Sequence, residues 1–585
     1  MSNTYTGLAA GSLKIQKYNN FRGVDFTDEN VSETRSPDAS NMWKNYKTLG
    51  KQIETRPGIV DYLDRTNTIF GLFFYNINGV DHLIIHEGVK LFDYNTMTND
   101  CVTLKNSGMN PAKSCGFIFN NILFIKDGIN YLEYNGLILK DVEGTIPNIA
   151  IHNLRSGETK MIQEANLLND FCTEQFISDG EATDYHLSQR EVSNITVWDI
   201  SGINPIQIVS GFTTDTTTGI ISFSSAPELD KTIEIKYSKT SDGALMIKRC
   251  TLACQFDNRI FFSGNPDYPN LLVWCGLNDP RYIGASNYTT QGGDVSQIKA
   301  LVPGNNALWS FKEPSQENTT IFYNIPIEIY DSKLEQTVKT YASSHSSIST
   351  GCVSTGTNFN DDIVFFSDRG LEGISSDITT EQAISHRSTV VDSKLLCEPD
   401  YKNLSIAEWE GYLLIATGSK IYLADSHQKV QNNDHFEYEW FYWDLGVEIS
   451  VLKEHEGVLY IATKESEENN VISSKIYSLT DYDDDRIVDS YWCTKKDNFG
   501  YPQMLKTTNK KGFKCEVSGA NVSIDTRVDN ENFKELGTFT NNKGYIVPKL
   551  KLKKFNKLQL KLKSNKPFGI YEMVVESYIG SYVKR

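Results

Sequence analysis

With 585 residues, the chain exceeds what one hydrophobic core organises, and about two to four domains are expected. A formal charge of −17 and an isoelectric point near 5.1 lack the basic balance by which a protein grips duplex DNA through phosphate neutralisation, and basic residues cluster only near the end of the chain. The 30 Tyr and 29 Phe residues favour strands, and 40 Gly with abundant Asn and Asp supply turns, so the composition describes short strands joined by tight turns.

Residues 1–60 are polar, with turn signals at Ser36-Pro37 and Arg56-Pro57-Gly58, and read as an arm plus an edge strand. Met1 to Ser12 lacks the basic and apolar regions of a secretory signal. No run of about 18 apolar residues predicts a transmembrane helix anywhere in the chain.

From residue 61 a repeat sets in: a polar turn, an apolar run, a second turn, then a strand of apolar-Tyr-apolar type. It begins with GLFFYNINGVDHLIIHEGVKLFDYN at Gly71 and GFIFNNILFIKDGINYLEYN at Gly116. Further copies start at Ala253, Leu301, Gly356, Ile406 and Leu452. Each carries a two-residue turn suited to positive φ: Asn78-Gly79, Asn120-Asn121, Asp257-Asn258, Asn305-Asn306, Asp361-Asp362, Glu410-Gly411 and Glu456-Gly457. The apolar runs have strand length, and outside one gap the copies recur at roughly 45–55 residues, as propeller blades do. The expected fold is all-β: a β-propeller of about six or seven blades over residues 61–150 and 246–489.

The gap, residues 151–245, reads as an inserted small β-sandwich with its own core, beginning with a partly helical segment from Glu158 to Asn169. Residues 490–585 break the repeat with long alternating strands such as KLKLKKFNKLQLKLK, one face apolar and the other basic, and read as a C-terminal β-sandwich. Its lysines, among them Lys549, Lys551, Lys553, Lys554, Lys557, Lys561 and Lys563, are expected to form a solvated strand face.

The common hydrolase, zincin and nucleotide-binding motifs are absent from the sequence. His82 and His86 share a strand face ~13 Å apart, too far for one metal. Ten scattered cysteines show no zinc spacing and read as reduced thiols. Asp481, Asp483, Asp484 and Asp485 lack the spacing and glycine of a calcium loop and read as a solvated turn. No catalytic residue, metal or cofactor is expected, and the chain reads as a non-enzyme.

Four stretches resemble virion structural proteins of tailed bacteriophages. The first is NNFRGVDFTDENVSETRSPDASNMWKN from Asn19, followed by IETRPGI from Ile53. The others are NRIFFSGNPDYPNLLVWCGLNDPRYI from Asn258, the insertion, and YWCTKKDNFGYPQMLKT from Tyr491. Propeller-bearing proteins of that kind form tail nozzles, tail hubs or DNA-stabilising plugs below the portal. The resemblance implies a structural subunit of the virion, made in the host bacterial cytoplasm, in a ring of about six copies closed by head-to-tail contacts. Its partners would be its own copies and the portal, adaptor or other tail proteins, at the head–tail connection or in the tail. Genomic DNA would pass during ejection without specific binding. The motif residues Gly23, Asp25, Arg35, Pro37, Asp38, Asn41, Met42, Arg56, Pro57 and Gly58 either fasten the arm to its own propeller or contact a neighbouring subunit. A charge of −17 on every copy makes the ring self-repelling, so contacts should strengthen as salt screens it. The rival reading is a receptor- or carbohydrate-binding propeller at the tail tip, able to degrade glycans.

Overall fold

The computed structural model describes residues 12–48, 50, 52–315, 319–332, 334–346, 350–374, 384–432, 435–468, 471–483 and 485–582. They are almost entirely strands, with two short α-helices, Gly243–Lys248 and Asp392–Leu395. No helix among them is long and apolar enough to cross a membrane. Two compact units are present: one holds residues 12–69, 368–374 and 384–582, the other residues 70–367.

The second unit is a series of antiparallel meanders. Ile69–Ile77, Val80–Glu87, Lys90–Asn95 and Cys101–Lys105 form the first four-stranded sheet, each strand pairing with the next in sequence. Residues 115–141, 252–290 and 298–346 repeat this order, and Gly356–Phe359 pairs with Asp362–Ser367. The repeat follows from turn chemistry. Asn78, Asn120, Asn121, Asp257, Asn258, Asn305 and Asn306 all adopt positive φ, which short polar side chains tolerate. One turn lies a residue earlier than expected. Asn360 and Asp361 take the left-handed conformation, and Asp362 already pairs with Phe359 as the first residue of its strand.

Between the second and third meanders lies a domain of two sheets. Its six-stranded sheet runs Glu158–Met161, Asn148–Asn153, Phe171–Ile177, Thr232–Ser238, Ser193–Asp199, Ile206–Ile208. A three-stranded sheet of Asp184–His186, Ile220–Phe223 and Phe212–Asp215 faces it across a core containing Phe176, Tyr185, Ile221, Ile233 and Tyr237. The helical expectation for Glu158 to Asn169 is wrong. Glu158–Met161 is a strand paired with Ala150–Asn153, turned back at Gly157 with φ 73°, and the rest of that segment contains no helix. Its apolar residues never sustain a helical period, so strand pairing decides. Asn166 to Leu168 then leave the inserted core and plug the meander core, where Leu168 joins Phe124, Tyr131, Ile247 and Phe262.

The first unit contains two further meanders. One is Ser405–Trp409, Tyr412–Thr417, Lys420–Asn432 and His435–Asp444. The other takes Ile449–His455, Val458–Thr463 and Val471–Asp481 and is completed by Gly58–Arg65 from far upstream. Glu410-Gly411 and Glu456-Gly457 make their first turns, again at positive φ. This repeated four-strand order, with an early strand completing the last sheet, makes the chain an all-β fold of the β-propeller type.

The C-terminal region is organised by the 25-residue strand Met504–Val528. Its first part pairs with Phe568–Tyr582 and its last part with Leu558–Ser564, while Lys534–Ile546 runs along it from Cys515 to Thr526. Leu558, Leu560 and Leu562 are buried while Lys563 is exposed, the alternation that the Lys-Leu pattern dictates. The N-terminal segment is woven into the same unit rather than hanging from it as an arm. Leu13–Tyr18 pairs with Tyr578–Met573, and Ile53–Thr55 pairs with both Met42–Trp43 and Gly569–Ile570.

Candidate functional site

The N-terminal motif residues gather in the first unit, around the strand His435–Asp444. Gly23 passes so close that a side chain there would collide with the Trp440 carbonyl oxygen, which excludes any residue but glycine. Arg35 forks onto the fully buried Glu439, with Nε to Oε2 at 2.9 Å and Nη2 to Oε1 at 3.2 Å. Arg22 Nε lies 3.2 Å from the same carboxylate. Burial alone would lower the Arg35 guanidinium, but its bonds to Glu439 and the nearby Asp25 raise it above its ordinary value. Asp25 also accepts from the Thr27 hydroxyl at 2.5 Å and Thr27 N–H at 3.2 Å, fixing its own turn.

Asn41 is the second node. At φ 58° its Oδ1 accepts from Arg56 Nε and from the Asp444 N–H, both at 2.9 Å, and its Nδ2 donates to the Asp489 carbonyl at 2.7 Å. One side chain therefore ties three segments of the chain. Met42 pairs with Tyr442 and Thr55 and is buried. Arg56 is buried and donates to the Pro57 carbonyl at 2.8 Å. Burial and the charge of Arg486 push its guanidinium down to about 10. At Gly58 a Cβ would sit 2.7 Å from Asp481 Oδ2, so glycine lets the Gly58–Arg65 strand approach its partner. Pro37 is half-buried between Ser36 and Asp38, whose backbone the Ser36 hydroxyl bonds.

Asp38 reaches outward from this clamp. It accepts from the Tyr491 hydroxyl at 2.9 Å and lies 3.7 Å from Lys561 Nζ, which sits 3.6 Å from the centre of the Tyr491 ring. Tyr491 and Lys561 also line an open pocket of about 380 Å³, with Asn521, Ser523, Lys563 and Asn565 among its other walls. Every one of the ten motif residues thus lies in one unit, most of them engaged with that unit's own chain. Glu439, Arg22 and Tyr491 are equally part of the clamp and were not singled out from sequence. A carboxylate between Tyr438 and Trp440 in an aromatic strand was the readable sign of an internal ion pair.

The other sequence candidates have local structural uses. His82 Nδ1 bonds Asp93 at 2.6 Å, while His86 bonds Ser114 at 2.9 Å and the Gly88 carbonyl at 3.1 Å. In the acidic run, Asp481 accepts from the Asp483 N–H at 2.9 Å and Asp483 from the Asp485 N–H at 3.1 Å, while Asp485 pairs with Lys566 at 3.4 Å. Asp484 lies outside the described residues.

No family model matches the chain, and no curated protein does. Among solved structures it is similar to a BBS1 N-terminal fragment in complex with ARL6, at 9% identity and TM-score 0.24, over 73% of this chain and 98% of that one. It is also similar to YCF48 bound to a D1 peptide, at 8% identity and TM-score 0.31, over 73% and 96%. At such scores the likeness carries no weight, and the fold rests on the strand order described above.

Proposed function

We propose that the protein is a structural, non-enzymatic component of a tailed phage particle. It stands as one of about six copies in a ring in the tail or neck, as nozzle, hub or plug, around the channel through which DNA leaves. The observation that carries this reading is the N-terminal motif. Residue types that resemble the opening of phage structural proteins are used here to lock the segment into its own unit through Glu439, Asn41 and Gly23. Buried clamps of this kind make a rigid subunit, which a ring under ejection load requires. The contacts then fall to surfaces outside the motif. Neighbouring copies, portal or adaptor proteins and passing DNA are the partners, and the virion is the location. Reconstruction of the intact particle tests it. A ring of copies below the portal is expected; a single copy or a trimer at the fibre tip overturns the reading and favours receptor binding.

A further inference from the structure

The chain's charge is unevenly placed. Asp and Glu strongly outnumber Lys and Arg over residues 70–367, so most of the formal −17 lies on the second unit. The C-terminal part of the first unit holds the opposite feature. Thr507 pairs with Lys553, Lys511 bridges Leu550, and the Thr508 N–H donates to the Leu552 carbonyl at 3.0 Å, so segments 506–511 and 549–555 run side by side. Leu550 and Phe555 anchor the second segment in the core. Lys510, Lys511, Lys549, Lys551, Lys553 and Lys554 are thereby left exposed together. Among the described residues none of the six stands in an ion pair, whereas Lys561, Lys563 and Lys566 nearby are each paired.

We infer that this lysine patch is a docking surface for the acidic second unit of another copy of the same chain. The inference rests on the ring reading and gives its head-to-tail contact a location. Charge complementarity selects the occupant: the second unit of the chain itself carries most of the net negative charge, at the concentration of its own assembly. Two different patches on one chain make a heterologous contact, the kind that builds rings. Lysines are mobile point charges, suited to steering a broad acidic surface; the bidentate Arg forks that read phosphates or bases are absent from the patch. The sign of the salt effect is the reverse of that expected from uniform charge: attraction between unlike patches weakens as salt screens it.

The test uses the full chain. Self-association is followed by sedimentation velocity at low salt and at about 0.5 M salt, where screening reaches only a few ångströms. The wild type should associate at low salt and weaken about tenfold or more at high salt. A set of K511Q, K549Q, K551Q and K553Q should lose the low-salt association, and the matching Lys→Arg set should keep it. Carbodiimide cross-links between isotope-labelled and unlabelled copies should join these lysines to acids within residues 70–367. A wild type that stays monomeric at low salt overturns the proposal, as does association that the Gln set leaves unchanged. Loss of duplex DNA binding by the Gln set with self-association intact assigns the patch to nucleic acid instead and also overturns it. Copy number in the particle separates this from the ring reading. A ring whose contacts omit the patch sinks the inference alone; patch-driven association of a chain that forms no ring in the particle sinks the ring and leaves the contact.

Discussion

Two side chains of the first unit, Glu439 and His386, carry testable electrostatics. Glu439 holds Arg35 and Arg22 while fully buried, so removing its charge leaves two guanidiniums facing a neutral amide. Glu439→Gln should cost about 3–5 kcal/mol, the usual consequence of breaking one side of a buried pair. Urea unfolding of the variant measures it, and a loss under about 1 kcal/mol means the pair contributes no more than an exposed one. His386 sits with Nε2 2.5 Å from Asp392 and Nδ1 3.2 Å from Glu372. Burial alone would lower its pKa, but the bonds to Asp392 and Glu372 raise it from 6.5 to about 10. A raised folded-state value means that the native state keeps the proton longer than the unfolded chain does. The stabilisation is therefore complete below pH about 6.5 and disappears as pH rises toward about 10. Denaturation midpoints across that window should fall in the wild type and much less in His386→Gln; parallel slopes for the two proteins would remove the assignment.

At the scale of elements, the inserted domain is less separable than its two-sheet core suggests. Asn166 Nδ2 donates to the carbonyls of Thr145 and Arg281, both at 2.8 Å, and Leu167 N–H donates to the Ile283 carbonyl at the same distance. Leu168→Ala should therefore destabilise the meanders around Phe124 and Phe262 by about 2–5 kcal/mol, the range for a buried leucine, although residue 168 lies within the insertion. Excising residues 151–240 should show at least that loss in thermal unfolding, and an excision as stable as the intact chain would make the plug dispensable. Strands and turns were readable in the sequence because their causes are local. Asn120-Asn121 and Asn305-Asn306 tolerate the positive φ of tight turns, and alternation of Leu with Lys over residues 560–563 marks a buried face and a more exposed one. The pairing of the clamp residues was not readable, although the motif residues and the carboxylate in the aromatic strand were. Arg35 and Glu439, Asp38 and Tyr491, or Gly58 and Asp481 lie hundreds of residues apart, and no local period records such pairs. The same limit explains the strand at Glu158 where a partly helical segment is expected: a short polar stretch has no periodicity of its own, and its partner strand decides. The lysine patch was half legible. The run of lysines was visible, but their convergence with Lys510 and Lys511 depends on the pairing of segments 506–511 and 549–555.

For the whole molecule the two units differ in how their contacts are spaced along the chain. The meanders of residues 70–367 are built from neighbouring hairpins, so their pairing needs little loop closure. The other unit joins Leu13–Tyr18 to Phe568–Tyr582, Gly58–Arg65 to Val471–Asp481, and Arg35 to Glu439, and none of these can form until segments hundreds of residues apart meet. Closing such loops is slow, and a chain of this length with two compact units is expected to populate intermediates. Refolding from denaturant should therefore be biphasic, with the second unit forming first. Trp43, Trp409, Trp440, Trp443 and Trp492 are all buried in the late unit, so tryptophan fluorescence should report mainly the slow phase. Pulse-labelling hydrogen exchange resolves the order directly: amides of 80–134 and 298–312 should be protected before those of 13–18, 58–65 and 568–582. Simultaneous protection of all five segments would mean that the ends of the chain meet as fast as the hairpins close, and the kinetic division between the units would be lost.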